Sequence, residues 1–478
     1  MRDIADMIDT IICGDCLEVM RGMTDECVDL VVTDPPYGMA FMGKAWDKAL
    51  PSVEVWRECL RVLKPGAFAF VMCIPRQDCQ ARMILNLEEA GFDIGFTDLE
   101  WTFATGFPKA ANISKFVDKR MGVEREVVGI NKGLVGRKDG AIWGKSIERP
   151  WKDKVRSGEY NNTLATIPTS PEAKALDGAY AGFQPKPCRE KIIVAMRPLS
   201  EKTYLDQALA NGKGCTWLDD GRIPYENGDD AFEKGEQRSK YPRADIRSGN
   251  FRVGITSERK HMVPNGMSRA GRFAPNLLVS GDVLNDGEKK RSGGIYNCKH
   301  TQNTIFGNVT NWQNPKQMYN DTGSYSRYFS LEAWAAKNLP ESVNRTFPFF
   351  IVPKASKSEK NAGLDGLEEK EMWMGHAKQI NGSGKPAKQI ISKNHHPTVK
   401  PIKLMSYLIA IGSRPGDVVL DPYAGSGTTG VAAELLDRRY ILMELDAEYC
   451  DIAERRIAWH VEQAKEEEQV QLKLDFNV

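Results

Sequence analysis

GDVVLDPYAGSGTTGVAAELLDRRYILMELD, residues 416–446, reads as a strand, a glycine loop, a helix and a second strand in immediate succession. DVVLD and YILME are short apolar runs of strand length, and TGVAAELLD between them carries helix formers with apolar residues at helical spacing. Gly425, Gly427 and Gly430 make a GxGxxG at the first strand-to-helix turn, and Glu444 closes the second strand. Glycines let the backbone approach a ligand closely, and the helix start offers unpaired N–H groups. An acidic side chain about 20 residues further on can accept from ribose hydroxyls.

Taken alone, the motif fits a nicotinamide dehydrogenase as well as an S-adenosylmethionine (AdoMet) enzyme, and a tight turn with no ligand is the bland reading. Its place in the chain argues against the first. The dinucleotide fold puts its fingerprint on its first strand, whereas this loop falls at residue 425 of 478, after all the other sheet-like segments. Those segments begin with TIICGD and VDLVVTD as strands, VEVWRECLRVLKPG as an amphipathic helix stopped by Pro-Gly, AFAFVMCI as a strand and ILNLEEAGF as a helix closed by glycine. This β/α rhythm predicts a doubly wound parallel sheet. REKIIVAMRPLS, 189–200, is a further compact strand.

VDLVVTD runs straight into Asp34-Pro35-Pro36-Tyr37, and a hydride-transfer enzyme has no evident use for such a tip. The exocyclic amine of a nucleobase is planar, its lone pair delocalised into the ring, and so a poor nucleophile. Two acceptors holding its hydrogens favour a tetrahedral nitrogen and aim the lone pair at an electrophile. The Asp34 carboxylate and the Pro35 carbonyl form such a pair, fixed before reaction. The prolines stiffen the backbone without adding a competing donor, and Tyr37 can stack on the base face.

GDCLEVM at 14–20, DPPY at 34–37, HPTVKP at 396–401 and DPYAGSGTTG at 421–430 stand in the order shown by the DNA amino-methyltransferases whose DPPY precedes the AdoMet loop, and the chain resembles that permuted class over roughly its first 108 and last 85 residues. The resemblance implies a Rossmann-like class I AdoMet methyltransferase sheet with a large inserted target-recognition region, acting on a flipped base of double-stranded DNA. By it, Asp34, Pro35, Pro36 and Tyr37 form the base site; Asp421, Gly425, Gly427 and Thr428 hold the methionine end of AdoMet; Glu444 takes the ribose and Asp15 the adenine amine. HPTVKP resembles the segment that closes over the methionine moiety, which brings Thr398 and Lys400 near it. Asp at the head of the tetrapeptide favours adenine N6, cytosine N4 being the alternative, with RNA or a protein amide as rival substrates and a DNA-binding protein with a decayed site as the non-enzymatic rival. WTFATGFPKAANISK (101–115) and VPKASKSEKNAG (352–363) resemble the phage and prophage branch. A cytoplasmic protein of a bacterial or phage-infected cell is expected, associated with restriction-modification.

Plainer readings stand beside these. Asp15 is well placed to cap a helix starting near Leu17, Glu444 to be a solvated strand end, and Thr398 with Lys400 to form a proline-bounded turn. Lys44 and Trp46 suit either a loop over the target nucleotide or a surface anchor. With 65 basic and 64 acidic residues no net field marks a partner, and no apolar run has membrane-spanning length. Cys13 and Cys16 lack a second pair at zinc-finger spacing, so no metal site is expected.

By composition the chain divides into a catalytic half (1–108), a basic insertion (109–187), a returning strand (188–204), a target-recognition region of short strands (205–394), an AdoMet-binding half (395–462) and a tail (463–478). NKGLVGRKDG (131–140) and KDKVRSG (152–158) suit phosphate contacts, and the arginines of MSRAGRF and SYSRYF suit base edges. Gln471, Leu472, Leu474 and Phe476 resemble the peptide by which bacterial proteins dock on the replication sliding clamp, a pattern short enough to arise by chance.

Overall fold

The computed structural model describes residues 4–38, 49–102, 110–130, 164–183, 188–224, 271–279, 290–291, 295–296, 316–317, 322–323, 325–344, 357–368, 370–373, 389–394, 396 and 398–475. The chain divides into two units, one of Met1–Thr105, Cys188–Trp373 and Gln389–Val478, the other of Gly106–Pro187 and Met374–Lys388.

The first unit is built on an eight-stranded sheet. In chain order its strands are β1 (Thr10–Cys13), β2 (Val28–Thr33), β3 (Leu63–Cys73), β4 (Leu99–Thr102), β5 (Arg189–Met196), β6 (Leu277–Val279), β7 (Val418–Asp421) and β8 (Arg439–Glu444). In space they follow the order β1-β8-β7-β2-β3-β5-β4-β6. All run parallel except β5, which is antiparallel to both β3 and β4. The expectation of a wholly parallel sheet is corrected at this strand, because an apolar run reports burial and not direction.

Helices cover both faces. α1 (Cys16–Arg21), α2 (Val53–Val62) and α3 (Gln77–Ala90) bury Met20, Trp56, Met83 and Leu87 against one side of the sheet. α4 (Leu331–Asn338), α5 (Ile402–Gly412), α6 (Thr428–Glu434) and α7 (Ala447–Asp475) bury Trp334, Tyr407, Val431 and Ile457 against the other. α5 is apolar almost all round, as suits a helix wedged between the sheet and α4, where Trp334 meets Tyr407 edge-on at 5.1 Å. β6 and α4 come from the stretch read as a separate recognition region, yet they join this sheet and core, because Leu278, Leu331 and Trp334 find their burial there. Two boundaries also differ. α2 stops at Val62 and Pro65-Gly66 lie inside β3, where a Cβ on Gly66 (φ +76°) would come within 2.8 Å of the Gly214 backbone. α7 continues to Asp475 through the stretch read as a tail, whose Glu, Gln, Lys and Leu are all good helix formers.

The connections explain where a ligand can sit. β7 passes through α6 on one face to β8, while β2 passes through α2 on the other face to β3, so the chain departs in opposite directions from two adjacent strands. Such a switch point opens a crevice beyond the carboxyl ends of the strands. In the second unit, Asp118 of the helix Ile113–Met121 is fully buried and accepts from Ser170 N (3.0 Å), Ser170 Oγ (2.6 Å) and Thr169 N (3.2 Å), and pairs with Arg125 at 2.7 Å. It ties that helix to the hairpin of Glu126–Ile130 and Leu164–Ile167.

Candidate active site

β2 is buried along its whole length, and Asp34 follows it directly at the mouth of the crevice. Beside it β7 ends at Asp421, and Thr33 Oγ1 donates to Asp421 Oδ1 at 2.7 Å across the two strands. The two halves recognised in the sequence, 388 residues apart, therefore meet at one corner.

Asp421 is 2% exposed and its carboxylate is engaged in holding the loop: Tyr423 N donates to Oδ1 (3.0 Å) and Thr429 Oγ1 to Oδ2 (2.5 Å). Burial outweighs these bonds and pushes its carboxyl up to about 6. Gly425 and Gly427 both have positive φ, +54° and +76°. A Cβ on Gly425 would come within 2.9 Å of the His396 ring, and one on Gly427 within 2.7 Å of Ala453, so each glycine is required by space as well as by conformation. Gly430 lets α6 lie against Leu442 of β8 and Ile457 of α7. Thr428, buried at the start of α6, accepts from Arg456 Nη1 at 3.2 Å. Glu444 Oε2 accepts from Gly425 N and Oε1 from Asp446 N, each at 2.9 Å, and burial raises its carboxyl above the ordinary range.

Asp15 sits just past β1, whose Cys13 pairs in register with Glu444. It is exposed, and its Oδ1 caps α1 by accepting from Leu17 N (2.9 Å) and Glu18 N (3.2 Å). The glycine loop, Glu444 and Asp15 thus stand at the carboxyl ends of adjacent strands, β7, β8 and β1.

His396, the first residue of HPTVKP, lies over this loop. His396 packs on Gly425 and meets Tyr449 edge-on at 4.6 Å, and Thr398 N donates to His396 Nδ1 at 3.4 Å. Lys400, grouped from the sequence with the methionine-binding residues, sends its ammonium to the tetrapeptide instead. Its Nζ lies 2.5 Å from Asp34 Oδ2, 3.1 Å from Glu190 Oε2 and 3.4 Å from the Tyr37 hydroxyl. Burial disfavours the Lys400 charge, yet the Asp34 and Glu190 carboxylates more than compensate and raise it to about 12. Tyr37 Oη donates to Asp34 Oδ1 in a short hydrogen bond, and burial together with the two carboxylates drives the phenol well above its ordinary range. Pro35 is buried and Pro36 half-buried behind them.

Two residues here were not singled out from the sequence. Glu190 lies in REKIIVAMRP, read from the sequence as a compact strand that also resembles a late strand of the DNA amino-methyltransferases, with no role given to its acid. Arg456 of α7 is fully buried and donates to the Ser426 carbonyl and to Ser426 Oγ (3.0 Å), bracing the glycine loop. Burial lowers its guanidinium to about 10. Its signal was available: an arginine on the apolar face of a helix, between Ile452 and His460. Lys44, Trp46, both basic clusters and Phe476 lie outside the described residues. Gln471, Leu472 and Leu474 fall in the last helical turns of α7. Arg272, one of the arginines noted for base reading, packs over Tyr328 at 4.9 Å and donates to the Pro224 carbonyl at 3.2 Å.

A family model described as DNA methylase (N6_N4_Mtase) matches residues 278–455. The type II methyltransferase M2.MboI of Moraxella bovis is 30% identical over 227 residues, which are 47% of this chain and 71% of that protein. The chain belongs to the N6/N4 DNA methylase family. M2.DpnII of Streptococcus pneumoniae, another type II methyltransferase, is 31% identical to this methylase over 32% of its chain and 51% of the relative. Among solved structures, a putative DNA modification methylase of Thermus thermophilus complexed with S-adenosyl-L-methionine is 15% identical over 94% of both chains, with a TM-score of 0.33.

Proposed function

We propose that this DNA methylase transfers a methyl group from AdoMet to the exocyclic amine of a base flipped out of double-stranded DNA at a specific sequence, adenine N6 being the favoured target. The observation that carries the reading is the junction of Thr33 with Asp421, which sets the Asp34 carboxylate beside the glycine loop. Proximity of this kind is what a single-carbon transfer needs.

The cradle suits AdoMet in its chemistry. Gly425 and Gly427 take the positive φ that turns the loop into α6, Glu444 and Asp15 offer carboxylates at neighbouring strand ends, and Thr398 stands two residues past His396, which packs on Gly425. When bound, the cofactor supplies an electrophilic methyl group on a sulfonium. Asp34 and the Pro35 carbonyl accept the two amine hydrogens, which localises the nitrogen lone pair and points it at that methyl group. Tyr37 stacks on the extruded base. The amine proton then leaves to Asp34 or to solvent. The order of DPPY ahead of the glycine loop supports the permuted class, and in this reading the middle of the chain reads the DNA sequence and the protein works in the cytoplasm of its host.

The test is transfer of labelled methyl groups to DNA, RNA and protein side by side, followed by nucleoside analysis of the DNA. N6-methyldeoxyadenosine is expected, and N4-methyldeoxycytidine would move the target to cytosine. Asp34→Ala is expected to lower turnover by about 10²- to 10³-fold while AdoMet still binds. Turnover retained in that variant would remove Asp34 from the reaction.

A further inference from the structure

The reversed strand has a chemical consequence. Because β5 runs against its neighbours, its first residues lie at the same edge as the carboxyl ends of the parallel strands: Lys191 is in register with Cys73, the last residue of β3, and Glu190 with Trp101 of β4. An acid at the second position of β5 is thereby delivered to the catalytic corner. Asp34, Glu190 and Lys400 are all largely buried there, with side chains 15%, 13% and 10% exposed.

Among the described residues one cation stands between two carboxylates, so these three side chains together carry a net negative charge. Asp34 and Lys400 alone would be a neutral pair. As the N–CH3 bond forms and the S–CH3 bond breaks, positive charge moves from sulfur to the amine nitrogen, and it stays there until an N–H proton departs to Asp34 or water. A neutral pair gives that charge little help, whereas a corner carrying one surplus negative charge, in a site shielded from water, stabilises it. Each carboxylate oxygen has two acceptor positions, so Asp34 can receive the target amine without releasing Lys400.

We propose that Glu190 is a positioning residue for methyl transfer: it holds Lys400 against Asp34 and supplies the surplus negative charge that meets the cationic amine. The inference rests on the methyltransferase reading above. It reaches past the tetrapeptide to a strand that contributes no motif.

The experiment uses the full chain as wild type, Glu190→Gln, Glu190→Asp, Lys400→Met and the Lys400→Met/Glu190→Gln double variant, measuring kcat and KM for methylation of DNA together with AdoMet binding. Glu190→Gln is expected to lower kcat by about 10²-fold with KM and AdoMet affinity unchanged, and Glu190→Asp to recover part of the loss. Lys400→Met leaves two carboxylates facing each other, so adding Glu190→Gln to it should raise kcat rather than lower it further. Wild-type kcat in Glu190→Gln, or losses that simply multiply in the double variant, would overturn the proposal. A Glu190→Gln protein that no longer binds AdoMet would place Glu190 in the framework and overturn it too. If the wild type transfers no methyl group to DNA, the reading beneath it falls as well.

Discussion

The two ends of β2 and β7 carry buried acids with opposite fates. At the amino ends, Asp29 accepts from Lys64 Nζ (2.7 Å) and Val418 N (3.0 Å) and pairs with Lys213 Nζ (2.8 Å), which also binds Asp417 at 2.9 Å. Two lysines answer two carboxylates. Burial pushes Asp29 up, but its lysine partners and the Val418 N–H prevail and hold it below the ordinary carboxylate value. At the carboxyl ends, among the described residues, Asp421 is satisfied by two hydroxyls and one N–H and rises to about 6, while Asp34 and Glu190 share one lysine. One end is neutralised and serves the fold. The other keeps an excess of negative charge, which weakens the fold and suits a reaction that passes through a cation.

The largest effect that would break this contrast is at the structural end. Asp29→Ala leaves Lys213 with one partner fewer in a buried network, and should cost on the order of 3–5 kcal/mol of stability in denaturant unfolding. The folded fraction should retain wild-type kcat, and a kcat loss matching the stability loss would erase the distinction. Asp421→Asn should do the reverse. With its folded-state pKa raised above the unfolded value, ionised Asp421 opposes folding, a penalty absent below about pH 4 and complete above about pH 6. Across that window the penalty grows to about 3 kcal/mol. The variant should therefore gain Tm over wild type most clearly at pH 7 and match it near pH 4, while methyl transfer falls; a Tm deficit at pH 7 would contradict the assignment. The smallest effect is Tyr37→Ala, expected to weaken productive binding of the flipped base by roughly 1–3 kcal/mol. Tyr37→Phe, which keeps the ring and loses the hydrogen bond to Asp34, should retain that binding, which separates stacking from the hydroxyl contact.

How far this site is legible in sequence follows the same division. The glycine loop and the tetrapeptide announce themselves because their chemistry depends on contiguous residues, and a doubly wound rhythm places both at strand ends. Pairings set by topology do not. Lys400 reaches Asp34 over 366 positions and Asp29 reaches Val418 N over 389, and nothing local in HPTVKP or in VDLVVTD states which partner a lysine or an acid will meet. Glu190 was hidden for a sharper reason, since its contribution depends on the direction of β5, which periodicity does not encode. At Asp15 two readings of one residue need not compete: a carboxylate that caps α1 through Oδ1 also stands just past the carboxyl end of β1, where the proposed cofactor role would use it.

The interleaving of β1, β8, β7 and β2 has a consequence for synthesis. β1 finds its partner only once residues 441–444 exist, and β2 must wait for 419–420. The strand bearing the tetrapeptide stays without one of its neighbours until residues 419–420 are made, an arrangement of high contact order that favours slow folding. A chain cut short before β7 lacks the strand and the glycine loop that stand beside Asp34, so this corner assembles only when both halves are present.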